Sequence, residues 1–222
     1  MTARERPLAP RAGSGTRPSR WGLFTVIAVG IVAVTAIVAA TGVLSGETTL
    51  RTLVRGLSTY ELRRLARTIR PLGTWWGLVP WLLLLLGMSS HARRRWWLWG
   101  AALIAAPLAG EALQEMVGRH RPHGSALGFP SGHATAVAAF AVATVYLVGR
   151  SGLPAVARAT ISLAALLLML AIGVSRMVLD AHWTLDVVAG FALGAAGAAA
   201  AAWWDASHPL PRAGAPPPAR RA

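Results

Sequence analysis

Six apolar runs, each long enough to cross a lipid bilayer, constrain this chain more than any other feature of its sequence. A membrane-spanning helix needs about 20 mostly apolar residues, because it rises about 1.5 Å per residue through roughly 30 Å of hydrocarbon. Tryptophans lie at several ends of these runs, at the level where an indole ring prefers the lipid headgroups. The sequence therefore predicts an all-α fold, a polytopic bundle of six transmembrane helices: Trp21–Leu44, Leu72–Ser89, Trp96–Leu113, Gly132–Val148, Thr160–Val178 and Leu185–Trp204.

The composition narrows the partners and the chemistry. Hydrophobic residues make up 55% of the 222 residues, and the mean hydropathy is +0.50. The formal charge of +14 comes from 22 arginines, since the sequence contains no lysine. These arginines flank the predicted spans, which favours membrane lipids or phosphate groups as partners and disfavours nucleic acid. The absence of cysteine excludes disulfides, thiolate nucleophiles and cysteine-based metal sites.

The chain divides into one predicted membrane domain, residues 21–204, between two tails. Residues 1–20 are rich in Arg, Pro, Gly and Ser, and residues 205–222 are rich in Pro and Arg, so both tails are predicted to be disordered. The first apolar run is longer than the core of a signal peptide and is expected to be retained. Six spans place both tails on one side, and 13 of the 22 arginines then lie on that side, which favours cytoplasmic tails in a plasma or cytoplasmic membrane.

The segment 48–70, between the first two runs, has the pattern of an amphipathic helix. Leucines recur at helical spacing with arginines between them. Ser58 and Glu61 fit a capping box that would restart a helix after Gly56. We therefore predict one or two helices lying in the outer interface near anionic headgroups. A solvated basic connector is the alternative.

Polar residues gather where the last four runs meet the same membrane face. Ser131 is expected to cap the helix that begins in the run Phe129–His133, and such a helix start binds anions. His182 and Asp186 are four residues apart, so on a helix they would share one face and Asp186 could orient the imidazole. The full set on this face is Glu111, Gln114, Glu115, Arg119, His120, Arg121, His123, Ser131, His133, Arg176, Asp180, His182 and Asp186.

These residues resemble the three sequence blocks of the type 2 phosphatidic acid phosphatase (PAP2) superfamily. The second block, PSGH, is present as Pro130–His133, and the third, SRxxxxxHxxxD, is complete from Ser175 to Asp186. The first block, KxxxxxxRP, is partial, because Arg121 and Pro122 match but Gln114 replaces the lysine. The resemblance covers roughly residues 21–204 at the level of topology and implies a PAP2/haloperoxidase-like helical core.

The resemblance also implies a role for each matching residue. His182 would be the nucleophile that forms a phosphohistidine, Asp186 its orienting partner, and His133 the acid that protonates the leaving oxygen. Arg121, Arg176, Ser131 and the Gly132 backbone would hold the phosphate, with Gln114 beside them. No metal or other cofactor is expected, because arginines and backbone N–H groups can stabilise the spread charge of phosphoryl transfer.

Gln114 is expected to reach the same site as Arg121, since seven residues make about two helical turns. Its amide brings hydrogen-bond donors but no positive charge. We hypothesise that Arg119 acts as an auxiliary cation that partly compensates, or that the substrate carries less charge than a free phosphate.

Three functions remain open at this stage. The first is an enzyme that hydrolyses a lipid phosphate at the extracytoplasmic face, with polyprenyl phosphate or diphosphate, phosphatidate and phosphatidylglycerophosphate as candidate substrates. The second is a catalytically weakened protein on the same scaffold that binds lipid phosphates or regulates. The third, a transporter or channel, would need ionisable groups near the bilayer midplane, but the sequence places them at the ends of the spans. His91, His123 and His208 are interpreted as structural, and Asp180 as the partner of an arginine.

Overall fold

The computed structural model describes residues 30–31, 33–35 and 37–210. The predicted N-terminal tail, most of the first predicted span and residues 211–222 lie outside this part of the chain. Within the described residues the fold is all-α, and the only β-type pairing there is an isolated bridge between His120 and Leu127. The predicted fold class is therefore confirmed.

The helices follow one another with short connections, except for the loop between α6 and α7. Four of them, α6 to α9, are long and apolar enough to cross a membrane, which confirms that the last four predicted runs form helices and makes them candidate spans. The count rises to six if each of two bent pairs is one span: α1 with α2, bent by 88°, and α3 with its following turn and α4, bent by 56°. In chain order the elements are α1 (Ala33–Thr41), α2 (Ser45–Leu57), α3 (Tyr60–Ile69), a 3-10 turn (Arg70–Gly73), α4 (Trp75–Met88), α5 (Ser90–Arg94), α6 (Trp96–Val117), α7 (Gly132–Gly149), α8 (Ala155–Val178) and α9 (Thr184–Ser207).

Several predicted boundaries differ from the structure, and two of these differences change the interpretation. Helix α4 has only 14 residues and begins at Trp75, because the 3-10 turn and the extended Thr74 interrupt the apolar run that was predicted to start at Leu72. At the other end of the chain, α9 continues to Ser207 and buries Asp205, so the C-terminal tail does not begin at residue 205. A prediction from hydropathy ends a helix at a charged residue, although a charged residue with a partner, such as Asp205, can lie within the helix.

The amphipathic segment forms two helices, α2 and α3, within the predicted range of one or two. Its capping residue differs from the prediction. The Thr59 hydroxyl accepts from the Leu62 N–H at 3.2 Å and caps α3, whereas the Ser58 hydroxyl donates to the Val54 carbonyl at 2.5 Å. Helix α2 runs through Gly56 to Leu57, which shifts the cap by one residue. Both helices pack on the bundle, α3 against α8 and α2 against α8 and α9.

Helices α7 and α9 form the most extensive helix contact, and small residues allow their backbones to approach closely. A Cβ atom at Gly190 would lie 2.7 Å from the Ser131 carbonyl oxygen, and one at Gly194 would overlap the Thr135 carbonyl oxygen. This proximity lets the Ser131 N–H donate to the Asp186 carbonyl at 2.8 Å. The close packing thus joins the PSGH block to the start of α9.

A buried ionic cluster lies at the opposite end of the bundle. The Asp205 carboxylate, fully buried, is 2.6 Å from the His91 Nε2 and accepts from the Tyr146 hydroxyl at 2.6 Å. The Arg95 Nε lies 3.1 Å from the same carboxylate, and the Arg95 guanidinium also donates to the His208 carbonyl. This cluster ties α5, α6, α7 and α9 together far from the residues of the PSGH block, in agreement with a structural interpretation of His91.

Candidate active site

One end of the bundle contains a cavity of about 290 Å³ that is lined by five of the nine predicted site residues. The cavity lies where α6 ends and α7 begins, beside the loop before α9. Five of the predicted site residues line it, namely Gln114, Arg121, Gly132, His133 and His182, together with Gly73, Thr74, Pro107 and Glu111. The two histidines therefore share one cavity, as the proposed chemistry requires.

His182 is held by a backbone carbonyl as well as by Asp186. It lies in the loop before α9 and not on the helix, so the expectation that both residues share a helix face is wrong. The His182 Nδ1 is 3.0 Å from the Gly128 carbonyl oxygen and 3.5 Å from the Asp186 Oδ2. Because a carbonyl oxygen only accepts, Nδ1 carries the proton and donates. The lone pair is then on Nε2.

Burial sets the protonation state of His182. The side chain is 4% exposed, and removal from water lowers the pKa of the imidazole, although Asp186 partly opposes this by favouring the charged form. A lowered pKa keeps the ring neutral at neutral pH. A neutral ring with a free Nε2 can act as a nucleophile.

Behind His182 a chain of buried charges holds Asp186. The Arg119 guanidinium donates to the Asp186 Oδ1 at 2.7 Å and to the Glu47 Oε2 at 2.5 Å. Glu47 also accepts from the Leu185 N–H at 2.9 Å, and Asp186 accepts from the Trp183 N–H at 2.9 Å. All three charged residues of this chain are no more than 6% exposed. Sequence reasoning missed Glu47, because nothing in its neighbourhood marks a partner that is 72 residues away.

This arrangement corrects the hypothesis about Arg119. Its two terminal nitrogens are occupied by carboxylates, and its side chain does not line the cavity. Arg119 therefore supports Asp186 from behind and does not replace the missing lysine charge beside Gln114.

A second ionic group fastens helix α2 to the loop before α9. The Arg51 guanidinium donates to both Asp180 oxygens, at 2.6 and 2.8 Å, and the His123 Nε2 lies 2.5 Å from Asp180. These contacts lower the pKa of the Asp180 carboxyl, mainly through the hydrogen bond from Arg51. The Arg51 guanidinium also lies 5.2 Å from the centre of the Trp183 ring. The predicted arginine partner of Asp180 is thus on the amphipathic segment, and His123 has the structural place that was expected.

Two of the residues predicted to hold phosphate, Arg176 and Ser131, have buried donors without a partner among the described residues, although neither residue lines the cavity. Arg176 is 5% exposed, and its Nε has no hydrogen-bond partner among the described residues. Ser131 is the N-cap residue of α7, as predicted. Its buried hydroxyl, however, makes no capping hydrogen bond and has no hydrogen-bond partner among the residues that the structure describes. Arg121 donates from its Nε to the Leu127 carbonyl at 2.9 Å, and the residue lines the cavity. Buried polar atoms normally have a hydrogen-bond partner, so the unpaired Arg176 and Ser131 donors are candidates to bind an anion.

Gln114 reaches the cavity, as the spacing predicts. Its amide Nε2 donates to the Pro130 carbonyl at 2.8 Å, so the side chain supports the PSGH backbone. It brings no charge to the site.

The comparisons with known proteins agree with this geometry. Residues 95–208 match the family model of the PAP2 superfamily. Two relatives, both named decaprenylphosphoryl-5-phosphoribose phosphatase and from two strains of Mycobacterium tuberculosis, are 34% identical over 131 residues, which is 53% of this chain and 67% of each relative. A helical membrane bundle with this site defines a membrane phosphatase. The chain belongs to the PAP2 superfamily and is a phosphoric ester hydrolase.

Two solved structures share the fold. The first transmembrane PAP2 type phosphatidylglycerolphosphate phosphatase from Bacillus subtilis aligns with a TM-score of 0.73 and 22% identity, over 83% of this chain and 96% of that one. Aquifex aeolicus LpxE aligns with a TM-score of 0.57 and 18% identity, over 71% and 95%. At these identities the likeness concerns the fold alone.

Proposed function

We propose that this protein hydrolyses a lipid phosphate at the extracytoplasmic membrane face through a phosphohistidine on His182, without a metal. The main observation in favour of a lipid substrate is an apolar groove beside the catalytic cavity. Pro107 borders both spaces. A substrate could therefore place its phosphate against the histidines while its tail follows the groove into the bilayer.

The groove has a volume of about 220 Å³ and lies between α4, α6 and α7. Its walls are almost wholly hydrocarbon, which suits an acyl or prenyl chain better than a sugar or a peptide. Its lining consists of Trp75, Leu78, Val79, Leu82, Gly100, Leu103, Ile104, Pro107, Ala136 and Phe140.

The chemistry follows from the two imidazoles. The His182 Nε2 attacks phosphorus, the bond from phosphorus to the ester oxygen breaks, and His133 gives its proton to that oxygen. A water then attacks the phosphohistidine while His133 takes the water proton, which releases inorganic phosphate and restores both rings. Arg121, Arg176, the Ser131 hydroxyl and the Gly132 N–H would hold the phosphate oxygens, and Asp186 would stabilise the charge that develops on His182.

The name of the relatives helps to rank the candidate substrates. Their name describes a phosphate on a ribose that is linked to a decaprenyl chain. Among polyprenyl phosphates or diphosphates, phosphatidate and phosphatidylglycerophosphate, we therefore place polyprenyl-linked phosphates first.

The proposal includes the membrane face to which the cavity opens. The cavity lies at the ends of α6 and α8 and the starts of α7 and α9, and Arg93, Arg94 and Arg95 lie at the other end of the bundle. With six spans, cytoplasmic tails and the arginine-rich α5 inside, the cavity opens to the extracytoplasmic face of the plasma membrane.

The test is phosphate release from purified protein in detergent with excess chelator, using polyprenyl phosphate, polyprenyl-linked sugar phosphate, phosphatidate, phosphatidylglycerophosphate and a water-soluble sugar phosphate. We expect release from a lipid phosphate, unchanged by the chelator, and little from the soluble ester. Lipid binding without turnover would support the weakened, regulatory alternative. Equal turnover of the soluble ester, or loss of release with chelator, would contradict the proposal.

The pH profile offers a second test. Because burial lowers the pKa of His182, the acid limb of kcat/KM that belongs to this residue is expected to lie below the ordinary histidine value of 6.5. The ring then stays neutral, and nucleophilic, to a lower pH than a free histidine would. The substrate phosphate has a pKa of about 6. This pKa is measured separately by phosphorus NMR, and its contribution is removed from the kcat/KM profile. An enzyme limb at or above 6.5 would show that His182 is not the buried neutral nucleophile.

A further inference from the structure

Helix α6 contains no arginine or lysine that could balance the charge of a phosphate in the catalytic cavity. A phosphate monoester brings close to two negative charges at neutral pH. Gln114 is neutral, and its amide is committed to the Pro130 carbonyl. Arg119, the nearest cation in sequence, is committed to Glu47 and Asp186. A cation from another element is therefore the natural complement.

Arg70 begins the 3-10 turn that forms one wall of this cavity. Gly73 and Thr74, at the end of the turn, line the cavity directly. The turn packs tightly there: a Cβ atom at Gly73 would lie 2.8 Å from the Ile172 side chain and 3.5 Å from the His133 ring. The turn and the acid of the proposed reaction are thus in contact.

The Arg70 side chain is exposed and free. Within the described residues it makes no hydrogen bond and no ion pair, whereas Arg51 and Arg55 of the same amphipathic segment lie beside Asp180. Side chains three residues apart in a 3-10 helix lie above one another, so Arg70 is on the same face of the turn as Gly73, which lines the cavity.

Arg121 lines the cavity, Arg176 is buried with an unpaired Nε, and Arg70 begins the turn that forms one wall. Like charges that share one end of the bundle repel each other, and an anion bound among them would reduce that repulsion. Glu111, the carboxylate that lines the cavity, forms no ion pair with any of them within the described part of the chain. The arrangement is that of an anion site with one cation supplied by the interfacial segment.

We propose that Arg70 binds the substrate phosphate and supplies the positive charge that Gln114 does not. The inference rests on the proposed function. Under this proposal the amphipathic segment contributes a residue to the active site, because Arg70, at the end of the segment, contacts the substrate.

The test compares Arg70→Ala with Arg70→Lys and with Arg67→Ala, which removes an exposed arginine from the preceding turn of α3. Loss of one charge-assisted contact should lower kcat/KM about ten- to hundredfold. Arg70→Lys should retain a larger share of activity than the alanine variant, and Arg67→Ala should stay within about twofold of the unmodified protein. Thermal unfolding of all three should be unchanged.

A second substitution tests whether the activity lost in the Arg70→Ala protein is due to the missing positive charge or to a general structural effect. Gln114→Lys introduced into the Arg70→Ala protein restores a cation from α6 and should recover at least about tenfold in kcat/KM. Arg70→Ala with full activity, or with a loss that neither lysine reverses, would overturn the inference. In either case phosphate release by the unmodified protein would still stand, so the proposed function is judged separately. A protein without any phosphate release would defeat the proposed function itself.

Discussion

Replacement of His182 by alanine is expected to reduce phosphate release by roughly 10³-fold or more, because the reaction loses the atom that attacks phosphorus. The remaining cations could still bind substrate, so KM should change much less than kcat. Phosphate release from the preferred lipid, measured on protein with an unchanged unfolding temperature, gives the result.

His120→Ala is the matched control. His120 lies on the same face, but its side chain is exposed and does not line the cavity, and within the described residues its one side-chain hydrogen bond is to the Ser125 carbonyl. We expect it to keep most of the activity. If the His182→Ala protein retained activity within tenfold while Ser131→Ala lost it, the nucleophile would be the buried hydroxyl.

Arg119→Ala is expected to lower the free energy of unfolding by about 3–5 kcal/mol, because it leaves the carboxylates of Glu47 and Asp186 buried and unpaired. Activity should fall as well, since Asp186 would lose the partner that fixes it beside His182. Denaturant or thermal unfolding in detergent, followed by circular dichroism, measures the loss.

Arg64→Ala provides the comparison for this effect. Arg64 is exposed and makes no side-chain ion pair within the described residues, so its removal should change stability by no more than about 0.5 kcal/mol. Stability of the Arg119→Ala protein close to that of the Arg64→Ala protein would mean that the buried charge chain does not hold the site together.

The last four helices could be predicted from the sequence because hydropathy over about 20 residues is a local property. Their ends were less predictable. Asp205 and Glu115 lie inside helices whose predicted runs stopped before them, since a pairing such as that of Asp205 with His91 depends on another part of the chain. The single-residue error at the cap of α3 arose because Ser58 and Thr59 are both capable N-cap residues.

The members of the candidate site were predictable because their types and spacing form recognisable blocks. The way they are held was not. The Gly128 carbonyl that contacts His182 is a backbone group with no sequence signature, and the two residues are 54 positions apart. Glu47 contacts α9 across 138 positions. A hydrophobic pattern reports that α2 is amphipathic, but it does not report which loop its single buried carboxylate meets.

Trapping of the phosphorylated protein would show whether His182 is the nucleophile. Rapid acid-free quenching of turnover on a radiolabelled lipid phosphate, followed by peptide mass spectrometry, should find a phosphoryl group on His182 that is stable to base and labile to acid. This label should be absent from the His182→Ala protein. Turnover without any phosphorylated protein, or with the label on another residue, would contradict the account.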